Sequence, residues 1–139
     1  MKHHHDDLVA SLTKNQSLVM DVLENATAPM SAYPILHELR EHGLKAPLQI
    51  YRALDKLLEL GLVHRLESLN AYLVCSHPNC EASEAVAFII CNSCGLVDEV
   101  SDARLVRDVT GLVSKRSFTL AKSTIELQGI CQVCEEANL

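Results

Sequence analysis

Two cysteine pairs, Cys91-Asn-Ser-Cys94 and Cys131-Gln-Val-Cys134, dominate the chemistry that this chain of 139 residues could perform. A two-residue spacer lets both sulfurs of a pair turn toward one point without backbone strain, and 36 residues separate one pair from the other. Four thiolates converging on one tetrahedron favour zinc. Such a site is closed, with no open coordination position, so it would hold a fold together and would not catalyse. The same four residues also fit a pair of redox dithiols or an iron–sulfur cluster. A thioredoxin-like dithiol, however, belongs in a βαβ setting that the sequence around Cys91 does not suggest.

The remaining cysteines, Cys75 and Cys80, flank His77, and His64 stands nearby in the expected hairpin. In extended chain, residues two apart share a face, so Cys75 and His77 could offer two ligands to one ion. Taken singly, Cys75 reads as a small buried apolar residue and His64 as a phosphate contact. Taken together they read as a second metal site. A zinc hydrolase or deaminase could use residues 64, 75 and 77 with water as fourth ligand, but the His-x-Glu and Pro-Cys-x-x-Cys signature of such deaminases is missing.

The elements that must position these residues follow from periodicity. Ser17 to Asn25 carries Leu18, Val19, Val22 and Leu23 at helical spacing. A second helix is expected from an N-cap at Ser31, with Ile35, Leu36 and Leu39 inward and Gly43 at its end. A third runs from Pro47 to about Leu60, with Ile50, Ala53, Leu54, Leu57 and Leu58 as its inner stripe. Leu62 to Leu66 and Ala71 to Cys75 then form a hairpin. Three short helices and a hairpin make a winged helix-turn-helix, whose third helix enters a major groove; a plain helical domain with solvated bases fits the same pattern. Residues 77–84 are polar and aperiodic and read as a hinge between a domain of residues 1–76 and one of residues 85–139. In the second, strands Val86 to Ile90 and Leu96 to Val100 bracket the first cysteine pair. An amphipathic helix Asp102 to Val113 and a strand around Ser123 to Leu127 lead to the second pair. The expected class is therefore α+β: a winged-helix domain followed by a small α/β domain with a four-cysteine zinc site.

Composition narrows the function. A net charge of −6 excludes a nonspecific nucleic-acid coat, so any DNA contact must be local. Residues 1–80 carry seven Lys/Arg against nine Asp/Glu, and residues 81–139 carry five against nine, which makes the first half the candidate for phosphate contact. Apolar runs such as Val86 to Ile90 are far shorter than the ~20 residues that cross a bilayer, and no signal-peptide core is seen. A cytoplasmic, non-membrane protein is expected, in which six cysteines serve as metal ligands or reactive thiols in preference to disulfides. His3-His4-His5 reads equally as a metal-scavenging tail or a purification-tag remnant, and is assigned no role.

Several segments carry a resemblance to a known family: Ala46-Pro-Leu-Gln-Ile-Tyr-Arg-Ala-Leu-Asp55, Gly61-Leu-Val-His-Arg-Leu-Glu67, Phe88-Ile-Ile-Cys-Asn-Ser-Cys-Gly-Leu-Val-Asp-Glu99 and Glu126-Leu-Gln-Gly-Ile-Cys131. Together, over residues 12–134, they resemble the ferric uptake regulator family, and within it the zinc uptake regulator branch. The resemblance implies a homodimeric, non-enzymatic repressor of zinc-uptake genes that binds a palindromic double-stranded DNA operator when loaded with zinc, with no small-molecule substrate. It implies two zinc ions per chain. By position, Cys91, Cys94, Cys131 and Cys134 match the structural site, and His64, Cys75 and Glu99 match three of four sensing ligands. The fourth is expected at His77, with Glu84 and Cys80 as alternatives. Lys122 stands where the family carries a further histidine, so a third, accessory site is not expected. Arg52 matches a groove-facing arginine, with Tyr51 beside it and Tyr33 at a backbone or minor-groove position. An iron-, manganese- or peroxide-responsive member of the same family is the alternative, and a zinc-ribbon interaction module is a more distant one.

Overall fold

The computed structural model describes residues 2–76 and 86–137, which fall into two compact units, Met1–Cys80 and Glu81–Leu139. The expected hinge, with His77, Cys80 and Glu84, lies outside the described residues. Among the described residues no helix is long and apolar enough to cross a membrane.

The first unit is built from four helices and a hairpin: α1 (Lys2–Ala10), α2 (Lys14–Asn25), α3 (Ala32–Leu39), α4 (Pro47–Glu59), β1 (Val63–Leu66) and β2 (Ala71–Val74). The α2 helix starts at Lys14, three residues before the expected start at Ser17, because Thr13 and Gln16 form a reciprocal cap. The Gln16 N–H donates to Thr13 Oγ1 at 3.3 Å and the Thr13 N–H to Gln16 Oε1 at 3.1 Å. Ser31 holds the N-cap position of α3, although its side chain makes no cap bond. That helix tightens into a 3-10 turn, Arg40–His42, and stops at Gly43, whose φ of +94° suits a residue without Cβ.

Val19, Met20 and Leu23 of α2, Ile35, Leu36 and Leu39 of α3, and Ile50, Leu54 and Leu57 of α4 form one buried cluster with Leu44, Leu62, Val63 and Tyr72. The expected stripe of α3 is buried in full, whereas Leu18, Val22 and Leu58 are only partly buried and Met20, not among the expected residues, is fully so. Leu8, Val9 and Leu12 pack against the edge of this cluster, and the helix that carries the first two has no apolar period of its own. The hairpin is antiparallel, with His64 opposite Leu73 and Arg65 opposite Tyr72. Met30 pairs with the other edge of β2, accepting from the Tyr72 N–H at 2.8 Å and donating to its carbonyl at 2.9 Å. The wing is thereby anchored to the chain entering α3.

The second unit contains β3 (Val86–Cys91), β4 (Val97–Val100), α5 (Ala103–Ser114), β5 (Thr124–Gly129) and α6 (Gln132–Ala137). The sheet order is β4-β3-β5, with β3–β4 antiparallel and β3–β5 parallel. Asp102 caps α5, its Oδ1 accepting from the Arg104 N–H at 2.7 Å, and this bond holds its carboxyl below the usual carboxylate range.

Leu54 is fully buried at the centre of the first unit's cluster. Truncating it in Leu54→Ala should therefore cost about 2–5 kcal/mol of that unit's stability, measured as a lower urea midpoint at unchanged m-value.

Candidate metal centres and nucleic-acid interface

The first cysteine pair sits on a turn between antiparallel strands. Cys91 ends β3, and the chain reverses through Asn92, Ser93 and Cys94 to Gly95, whose φ of +79° is a left-handed conformation open to glycine. Two bonds close the turn: Gly95 N–H to the Cys91 carbonyl at 3.0 Å and Cys91 N–H to the Leu96 carbonyl at 2.9 Å. The second pair arrives through β5. Parallel pairing sets Cys91 opposite Gly129, and the Asn92 N–H donates to the Gly129 carbonyl at 2.8 Å. Two residues later Cys131 lies beside the turn, and Cys134 follows from α6. That short helix is the element sequence reasoning missed here. Six residues rich in Gln and Glu show no apolar period, and the helix is fixed by its place at the cluster.

The sulfurs of Cys91, Cys94, Cys131 and Cys134 all lie within 4.8 Å of one another. Cys94 and Cys131 sulfurs are 3.8 Å apart, the edge of a tetrahedron whose metal–sulfur bonds are about 2.3 Å. The Cys131 and Cys94 N–H groups point at Cys91 Sγ, at 3.3 and 3.5 Å. These donors, Cys94 first and Cys131 next, lower the Cys91 thiol to about 6. Cys134 is pushed up to about 12: its contact with the Ser93 side chain lowers it, but Cys131, Cys94 and burial together outweigh that. Cys131 and Cys94, the contacts that raise Cys134 most, lie within 4.8 Å of it, and sulfurs this close cannot all ionise without mutual repulsion. A soft dication removes the conflict, which is the chemical sense in which the donor set fits zinc.

In the first unit, His64 lies within β1 and Cys75 immediately follows β2. The Cys75 N–H donates to the Leu62 carbonyl at 3.0 Å, which extends the hairpin pairing. A nitrogen of His64 and the sulfur of Cys75 come within 4.8 Å of each other, with the histidine half-buried and the cysteine buried. The two residues that sequence reasoning grouped are therefore neighbours. Glu99 lies on β4 of the second unit, opposite Phe88 and half-buried. His77, together with Glu84 and Cys80, lies outside the described residues.

Of the residues expected to meet DNA, Arg52 is exposed on α4, Tyr51 is half-buried beside it, and Tyr33 on α3 is exposed. The wing adds a cation not singled out from sequence. Arg65 Nη2 donates to Asn70 Oδ1 at 3.0 Å, and its Nη1 lies 3.5 Å from Glu67. These contacts tie it to the wing turn, where Asn70 has a φ of +47°.

Residues 7–128 match the ferric uptake regulator family. Over 129 residues the chain is 39% identical to the zinc uptake regulation protein of Escherichia coli (strain K12), covering 91% of this chain and 74% of that protein. A structure described as a zinc uptake regulator complexed with zinc and DNA superposes with a TM-score of 0.84 at 32% identity, covering 96% of this chain and 97% of that one. The crystal structure of holo XcZur superposes with a TM-score of 0.79 at 35% identity, covering 90% and 86%.

Because Cys131 supplies both a sulfur and an N–H to the cluster, Cys131→Ser should lower bound divalent metal by one equivalent per chain. It should also make the second unit sensitive to limited proteolysis while the first stays resistant. Elemental analysis and mapped proteolytic fragments check both.

Proposed function

The chain belongs to the ferric uptake regulator family, and on that footing we propose that it is a zinc-responsive repressor of zinc-uptake genes, binding a palindromic operator as a homodimer in the cytoplasm. It acts as a regulator and not as an enzyme. The observation that carries the choice of zinc is the approach of His64 and Cys75, a nitrogen and a buried sulfur, on the wing. Soft sulfur selects zinc over iron or manganese, whose sites favour nitrogen and oxygen. The relatives named for zinc, and the similar structure described with zinc and DNA, support the same reading.

Two zinc ions per chain are assigned different work. Cys91, Cys94, Cys131 and Cys134 hold the structural ion. His64, Cys75 and Glu99 hold the sensing ion, with His77 as the fourth ligand. Bound there, zinc supplies a charge that crosslinks its ligands. His64 and Cys75 sit on the hairpin that adjoins α4, so ordering them limits the positions open to the recognition helix. A ligand shifts such an equilibrium only through its differential affinity for the two states, typically ~1–3 kcal/mol of coupling.

Homodimer formation has its own support. Ile89 and Leu127 pair across β3 and β5 and are about half exposed, at 48% and 52%, beside exposed Leu96 and Ile130. These four line one apolar cleft on the sheet of the second unit. Contiguous exposed apolar surface of this kind fits self-association. A two-fold dimer would present one α4 to each operator half-site, where Arg52 could read guanine through its two-donor fork, with Tyr51 and Tyr33 as flanking contacts.

Cys75→Ser should lose one zinc equivalent under mild chelation that spares the wild type, remain folded, and no longer bind DNA in step with free zinc. Zinc-competition titration with a parallel DNA-binding assay measures this, and unchanged zinc-dependent binding would remove Cys75 from the sensing site.

Arg52→Ala should weaken operator binding by roughly 1–3 kcal/mol and relax preference at one base pair, with zinc content and dimerisation intact. Base-substitution binding assays decide it.

A further inference from the structure

The outward side of α4 contains a residue that its fold does not use. Ile50, Ala53, Leu54 and Leu57 face the core, which puts Leu48, Arg52, Asp55 and Glu59 on the opposite side of a 3.6-residue period. All four are exposed, and Leu48 is 57% exposed although it is apolar. The C-terminal part of this face carries Asp55 and Glu59, which repel phosphate. The N-terminal part carries Leu48 and, one turn on, Arg52. Recognition helices present their N-terminal residues to base edges, so the charge pattern and the docking geometry agree on which half meets DNA.

Gln49 would be the obvious polar reader in that half, because a glutamine amide can pair with adenine. Here it is already engaged. Its Oε1 accepts the Lys45 and Ala46 N–H groups at 3.0 and 3.2 Å, folding the side chain back over the start of the helix. The outward-facing set is then one cation, Arg52, and one branched apolar side chain, Leu48, separated by a single helical turn. In a major groove the apolar feature that distinguishes a base pair is the thymine C5-methyl group.

Resting on the reading of this chain as an operator-binding regulator, we propose that Leu48 is a specificity-determining residue that packs on a thymine methyl group close to the base pair read by Arg52. Burying one methyl group contributes about 0.8 kcal/mol, close to a fourfold change in affinity.

The test uses the zinc-loaded full-length chain and a duplex selected from a randomised double-stranded pool. Each thymine of the selected duplex is replaced in turn by uracil, which removes the methyl group and leaves the pairing unchanged. Wild-type protein should lose about three- to fivefold in affinity at one thymine near the Arg52-dependent base pair. Leu48→Ala should show no loss there, and Leu48→Met should restore it. A flat uracil scan with wild type overturns the proposal, as does a scan in which Leu48→Ala retains the same sensitivity. If no duplex is selected at all, the operator-binding reading itself falls, and the two failures are thereby distinguished. Leu48 is exposed, so its variants should keep wild-type zinc content and thermal midpoint, and these measurements confirm that any change is at the DNA.

Discussion

Parallel pairing between β3 and β5 sets where the second pair of cysteines can be. Because Cys91 is fixed opposite Gly129, only Ile130 intervenes before Cys131 reaches the turn that holds Cys94. A slip of one residue would turn the paired side chains to opposite faces and carry the second pair away from the first. The bond from Asn92 N–H to the Gly129 carbonyl continues this register past the end of β3. Among the described residues, the buried apolar side chains of this unit are Ala87, Phe88, Ile90 and Cys91. A unit with so small a core benefits from a crosslink, and four sulfurs around a dication would supply one that the apolar contacts alone do not.

The first unit is held differently. Its three principal helices share a continuous apolar cluster, capped by the hairpin, and the cluster contains no buried charged side chain. This leaves the opposite face of α4 free to vary chemically without loss of packing. Arg52 can present its guanidinium outward because Ile50, Ala53, Leu54 and Leu57 already satisfy the helix's need for burial. His64 is placed by the same logic, because Val63 and Tyr72 share the hairpin face that joins the apolar cluster and His64, one residue along, takes the other face.

The two candidate metal sets therefore differ in what surrounds them. The four-cysteine set is made of turn and helix-end residues whose backbone N–H groups already favour a thiolate at Cys91. It is suited to permanent occupancy. The His64–Cys75 pair sits on a unit that has its own core, so an ion held there would come and go without unfolding that core. A sensor needs this separation of stability from occupancy, because an ion that the fold required could not also report on its own concentration.

Much of this was legible in the sequence because it rests on local spacing. The Cys-x-x-Cys pairs, the apolar stripes of α2, α3 and α4, the wing hairpin and the grouping of His64 with Cys75 all depend on residues near one another or on a repeating period. The α1 helix was not legible, since Leu8 and Val9 become informative only once they meet a core formed by other helices. Nor was α6, whose six residues have no apolar period. Tertiary structure decided the parallel β3–β5 register, which no local signal specifies, and with it the convergence of two cysteine pairs distant in the chain. It also decided that Gln49 caps its own helix and leaves Leu48 and Arg52 facing outward. Sequence determines which side chains are present and with what period; which of them the fold consumes, and which it leaves for a ligand, depends on contacts between segments far apart in the chain.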